Sequence, residues 1–148
     1  MFSRKDKGFT LVELMLVVII IGILVAMVVP RLAGRSEQAR SAAAKADIES
    51  NLALALDLYE LDNGRYPTTE QGLNALITES TSTPVPVNWN GSYLKKKKIP
   101  NDPWGRPYIY TCPGMHNQED YDLYSYGPDA VEGGGDDVVN WEEETTSE

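Results

Sequence analysis

From Phe9 to Val29 nearly every position is apolar, and Pro30 and Arg31 end the run. At a helical rise of about 1.5 Å per residue, a stretch of this length spans roughly 31 Å, matching the hydrocarbon core of a bilayer. Residues 9–29 are therefore expected to form the membrane half of a helix. Residues 30–62 carry good helix formers and continue it, with Pro30 either breaking or kinking the helix. Ile48, Leu52, Leu56 and Tyr59 recur at helical spacing and define one apolar face, while Leu54, Leu58 and Leu61 form a second row. Both rows could be covered by the chain's own domain, or part of that apolar surface could meet neighbouring subunits. Asp62-Asn63-Gly64 stops the helix, with Gly64 suited to a left-handed cap. Thr68 and Gln71 have capping-box spacing and predict a short helix from Thr69 to about Thr78. Residues 80–92 are turn-rich. Residues 108–111 and 121–126 read as strands, separated from what precedes them by the Pro103-Trp104-Gly105-Arg106-Pro107 turn. The expected fold class is α+β: a long N-terminal helix, membrane-embedded over its first half, packed on a small antiparallel sheet in a head spanning 63–141.

The apolar run is preceded by Arg4, Lys5 and Lys7 against Asp6. A cationic flank keeps the N-terminus cytoplasmic while the remainder crosses. A secretory signal peptide fits poorly, because the run is longer than an h-region and no small-residue cleavage site closes it. The 148 residues allow one ordinary domain, and a net charge of −9 disfavours nucleic acid as a partner. Cys112 alone excludes an intramolecular disulfide, and His116 alone leaves little scope for histidine catalysis or a multi-histidine metal site. A nucleophile pair of Cys112 and His116 would lack an orienting third group, so an ordinary loop thiol is the expectation. Trp89, Trp104 and Trp141 read as packing residues, Lys95–Lys98 as a solvated run leading into a strand, and 142–148 as a disordered acidic tail.

Glu13 breaks the rule for an ordinary anchor, since an ionised carboxylate inside an apolar run is costly unless paired. It either snorkels to the interface or meets a cation within an assembly. A free α-amine on Phe9, created by cleavage after Gly8, would be such a cation. The tract Lys7-Gly8-Phe9-Thr10-Leu11-Val12-Glu13 resembles the class III signal of type IV pilins and pseudopilins. The resemblance implies that residues 1–8 are a cytoplasmic leader removed by a prepilin peptidase after Gly8. It implies further that Phe9 is N-methylated and that Glu13 pairs with a neighbouring subunit's N-terminus during filament assembly.

Further tracts narrow the resemblance. Arg65-Tyr66-Pro67-Thr68-Thr69-Glu70-Gln71-Gly72-Leu73, Asp102-Pro103-Trp104-Gly105, Leu123 to Asp129 and Asn140-Trp141 are similar to the major pseudopilins of type II secretion systems. This implies a homopolymeric periplasmic filament, anchored in the inner membrane by a single pass, that helps push folded proteins through the outer membrane. Its implied partners are minor pseudopilins, the inner-membrane assembly platform and prepilin peptidase. Lys95–Lys98 and the tail fall outside the pattern.

In the loop 126–141, Asp129, Asp136 and Asp137 are linked by glycines. Calcium takes carboxylate and carbonyl oxygens from flexible loops, so the spacing admits either a Ca²⁺ site or a solvated acidic loop. It is not an EF-hand. The pseudopilin resemblance implies one Ca²⁺, held by the carboxylates of Asp129, Asp136 and Asp137 and by carbonyls of Tyr126 and around Val131 and Gly134. Glu132 is a neighbour without an assigned role. The expected function is a non-enzymatic filament subunit for secretion. The alternatives are a type IV pilus subunit for adhesion, motility or DNA uptake, and a membrane-tethered calcium-dependent domain that never polymerises.

Overall fold

A computed structural model describes residues 8–142, with side chains described outside 28–33. The expected leader and most of the acidic tail therefore lie outside the described residues. The chain divides into two compact units, 1–38 and 39–148.

In the first unit, helix α1 (Leu11–Ala46) begins, and its backbone stays helical through Pro30. Every large apolar side chain from Phe9 to Met27 is exposed, so this segment has no core of its own. Among the described residues no helix is long and apolar enough to cross a membrane. The described apolar side chains end at Met27, short of the 9–29 run read from the sequence.

In the second unit, α1 gives way to a π-helical segment (Asp47–Leu52) and then to α2 (Ala53–Asn63). The residues facing the core explain the wider turn. Ala44, Ile48, Leu52 and Leu56 are all buried at steps of four. In an α-helix such steps drift by about 40° each. The i→i+5 bonding of the π segment takes that drift back and keeps the stripe facing one way. Leu54, Leu58 and Leu61 stay exposed. Gly64 ends α2 at φ 74°, the left-handed cap expected for it, with its N–H donating to the Glu60 carbonyl at 2.6 Å.

Thr68 and Gln71 do form the reciprocal capping pair, at 3.0 and 3.3 Å. The helix expected over 69–78 nevertheless shrinks to a 3₁₀ turn, Leu73–Leu76. Gly72, at φ 58° and ψ −172°, breaks the helical path before it propagates. The strand expected after Lys95–Lys98 is likewise reduced, to a single bridge between Asn101 and Pro107. Three short antiparallel strands follow in order: β1 (Ile109–Thr111), β2 (Asp122–Ser125) and β3 (Val138–Val139). Tyr124 of β2 sits opposite both Ile109 and Val139. Leu123, Tyr108, Tyr110 and Tyr121 join the helix stripe, Leu73 and Leu76 in one core. Tyrosine hydroxyls at its margin are satisfied locally: Tyr110 donates to the Pro67 carbonyl at 2.7 Å, and Tyr108 to Asp47 at 3.1 Å.

Leu56 is fully buried and Leu58 is 41% exposed. Leu56→Ala is expected to cost about 3 kcal/mol of unfolding free energy, and Leu58→Ala well under about 1 kcal/mol, as measured by urea denaturation of the two variants.

Candidate functional site

At the helix start, the Thr10 N–H and hydroxyl both donate to Glu13 Oε2, at 3.0 and 3.1 Å, and the Glu13 N–H donates back to Thr10 Oγ1 at 3.2 Å. This is a reciprocal capping box. The Thr-x-x-Glu spacing of Thr10 and Glu13 is its signal in the sequence. Gly8 precedes the helix with open space around its Cα, and Phe9 is 84% exposed.

The acidic loop is built on Gly127 and Gly134. Gly127 has φ 61°, and a Cβ there would run into the Asp136 backbone carbonyl, so residues 127 and 136 touch backbone to backbone. A Cβ on Gly134 would lie 2.6 Å from both Asp129 Oδ2 and Asp136 Oδ1. Two carboxylates therefore converge on the space that a side chain at Gly134 would fill. Asp136 Oδ2 also accepts the Asp129 N–H at 3.3 Å, and Asp129 Oδ1 accepts the Val131 N–H at 2.9 Å. Asp137 is turned elsewhere: its Oδ2 accepts the Gly133 N–H at 2.8 Å, while its Oδ1 is buried without a hydrogen-bond partner. Among the described residues no group of three or more His, Cys, Asp or Glu side chains is arranged to hold a metal. The donor set suits a hard cation in two respects: a two-carboxylate cradle over Gly134, and an orphaned carboxylate oxygen at Asp137.

Two carboxylates not singled out in the sequence organise the surrounding turns. Asp102 is 4% exposed. Its Oδ1 accepts the N–H groups of Trp104 and Arg106 at 3.0 and 2.7 Å, and its Oδ2 accepts the Ser125 hydroxyl at 2.6 Å. Arg106 Nε stands 3.5 Å from the same Oδ2. Asp122 is 3% exposed and accepts the N–H groups of Met115, His116 and Asn117 at 2.7, 2.9 and 3.0 Å. Burial alone would raise both acids, but the Ser125 hydroxyl and Arg106 hold Asp102, and the His116 and Asn117 N–H groups hold Asp122, below the ordinary 3.8. An Asp two residues before a turn N–H was the available signal for Asp102. For Asp122 there was none, because its partners lie five to seven residues upstream.

The remaining candidates fall into structural roles. His116 Nδ1 pairs with Asp122 at 3.0 Å, and its ring stacks on Trp141 at 4.0 Å, not on Cys112. Burial pushes the Cys112 thiol up, away from the reactive thiolate. Trp89 donates to the Ala75 carbonyl at 2.9 Å, and Trp104 stacks beneath Arg106.

A carboxylate held below its unfolded pKa stabilises the fold above that pKa, and the contribution is lost as pH falls through the folded value. Unfolding free energy is therefore expected to fall as pH drops below about 3.8, and Asp122→Asn to flatten that acid limb. Urea titrations at several pH values would measure both.

Comparison with known proteins converges on one group. A family model described as "Type II secretion system (T2SS), protein G" matches residues 31–141, and one described as "Prokaryotic N-terminal methylation motif" matches residues 3–29. "Type II secretion system core protein G" of Pseudomonas aeruginosa is 51% identical, over 96% of this chain and 99% of that protein. The Vibrio cholerae protein of the same name is 48% identical, over 93% of each. The crystal structure of the major pseudopilin from the type 2 secretion system of enterohaemorrhagic Escherichia coli superposes with a TM-score of 0.65 at 40% identity, covering 74% of this chain and 89% of that one. The long helix and three-stranded sheet thus have a solved counterpart, and the chain belongs to the type II secretion system protein G family.

Proposed function

We propose that the chain is the major structural subunit of a type II secretion pseudopilus and that it performs no catalysis. The observation that carries this reading is family membership over nearly the whole chain, with relatives named as core protein G and a structural counterpart titled as the major pseudopilin. The subunit is membrane-anchored and faces the periplasm, with residues 9–29 as a single inner-membrane pass before assembly. The methylation-motif match supports cleavage after Gly8 by a prepilin peptidase and methylation of Phe9. The exposed apolar helix needs lipid or neighbouring helices to cover it, which supports polymerisation through this segment. Minor pseudopilins and the assembly platform are the other partners. The type IV pilus reading has no specific observation in its favour.

Calcium belongs to the same proposal. Asp129 and Asp136, together with Asp137 and the carbonyls of Tyr126, Val131 and Gly134, would hold one Ca²⁺ in the loop. The ion would supply positive charge on which the protein's carboxylate and carbonyl oxygens converge, and no chemistry. The residues around it do the structural work: Asp129 and Asp136 keep Gly134 between them, and Gly127 keeps its backbone against Asp136.

Co-expression with prepilin peptidase and the assembly components, followed by imaging of sheared filaments, tests the whole reading. Filaments are expected with calcium and are expected to be lost with chelator, with methyl-phenylalanine at position 9. Glu13→Ala is expected to be processed yet to form no filaments. Processed wild-type protein that never polymerises under either condition would overturn the proposal. Gly134→Ala places a methyl group between the two carboxylates, so calcium is expected to stop raising its melting temperature, while Asp129→Ala should behave alike.

A further inference from the structure

Gly127 opens the acidic loop, and both of its peptide groups are held by side chains that end on the same buried acid. Its N–H donates to Ser125 Oγ at 3.3 Å, and the Ser125 hydroxyl in turn donates to Asp102 Oδ2 at 2.6 Å. Its carbonyl accepts from the Arg106 guanidinium, whose Nε faces Asp102 Oδ2 at 3.5 Å. We infer that Asp102 is a positioning residue for the calcium loop, acting through Ser125 and Arg106 on Gly127. The inference rests on the calcium reading above.

The chain of contacts has a physical direction. The ionised Asp102 accepts the hydrogen bond of the Ser125 hydroxyl, which leaves that oxygen's lone pairs free to accept the Gly127 N–H. The Tyr126–Gly127 peptide is planar, so fixing its N–H also fixes the Tyr126 carbonyl, which points the opposite way. That carbonyl is one of the proposed calcium donors. On the other side, Gly127 lies backbone to backbone against Asp136, and Asp136 Oδ2 accepts the Asp129 N–H at 3.3 Å. A shift at Gly127 therefore reaches one carbonyl and two carboxylates of the proposed set at once. Outer hydrogen bonds that orient metal ligands are commonly worth a tenfold or greater change in affinity.

Asp102→Asn separates this role from the acid's other one. The amide oxygen can still accept the Trp104 and Arg106 N–H groups that Oδ1 serves, so the turn survives. The amide nitrogen replaces Oδ2, which reverses the Ser125 bond and removes the charge facing Arg106. Ser125→Ala is the second variant, deleting one route while leaving Asp102 intact. The test uses the full chain in detergent micelles, with calcium binding read by titration calorimetry and melting temperature read in calcium and in chelator.

Asp102→Asn is expected to weaken calcium affinity by about tenfold or more, and to shrink the calcium-induced rise in melting temperature. Ser125→Ala is expected to act in the same direction, and to add little when combined with Asp102→Asn, because both interrupt one path. A merely structural role would lower the melting temperature equally with and without calcium and leave affinity unchanged. That outcome in both variants, with the wild-type chain binding normally, would overturn this inference alone. A wild-type chain that binds no calcium would overturn the calcium reading and this inference together. Should Asp102→Asn fail to fold, unchanged affinity in Ser125→Ala would overturn the inference and weakened affinity would support it.

Discussion

The main chain between Gly64 and the end of the head lies mostly outside helix and strand, and each of its buried N–H groups needs an acceptor. Asp102 and Asp122 answer that need at two points. Each is nearly buried, and between them they accept five backbone N–H groups, from Trp104, Arg106, Met115, His116 and Asn117. Thirteen buried apolar residues form the core among the described residues. The core packs the helix on the sheet, while the loops that leave the sheet are shaped by these two acids. Asp122 is also the first residue of β2 and Ser125 its last, so a single four-residue strand connects the two hubs.

The same chain separates its work along its length. The helix from Leu11 to Met27 presents apolar side chains on every side and buries none, while the stripe from Ala44 to Tyr59 is covered by the head. The π segment between Asp47 and Leu52 serves that second task. It costs regularity in the hydrogen-bond ladder and gains a continuous buried face, while Asp47 within it accepts the Tyr108 hydroxyl and ties the helix to the sheet side of the core. The outward leucines at 54, 58 and 61 are left as apolar surface on an acidic head.

Much of this was legible in the sequence because local chemistry and global fold agree. The buried face at Ile48, Leu52, Leu56 and Tyr59 followed from periodicity, and the stop at Gly64 from its freedom to take positive φ. Both the capping pair at Thr68 and Gln71 and its failure to start a real helix were written locally. Gly72 wins because its backbone leaves the helical region immediately after the cap. β3 was hidden, since two valines in a glycine-rich acidic tract give no alternation to read. Asp122 was hidden for another reason: its partners are backbone groups five to seven residues upstream, which no sequence pattern distinguishes, whereas Asp102 had the local signal of a turn N–H two residues on. In the acidic loop, Gly127 and Gly134 mark where a side chain cannot fit. They do not mark which carboxylates face the gap, and the structure brings Asp129 and Asp136 there and turns Asp137 to Gly133.

The Thr10–Glu13 cap has a consequence for the energetics of assembly. The chain already satisfies this acid with its own backbone and hydroxyl, so outside an assembly it is not a naked charge. On the proposed pairing of Glu13 with a neighbour's N-terminus, recruitment into a filament would be an exchange of partners. The electrostatic part of the gain would be the difference between a neighbour's amine and the local cap, not the full strength of a new ion pair. The smaller that difference, the more readily a joint once made could be undone.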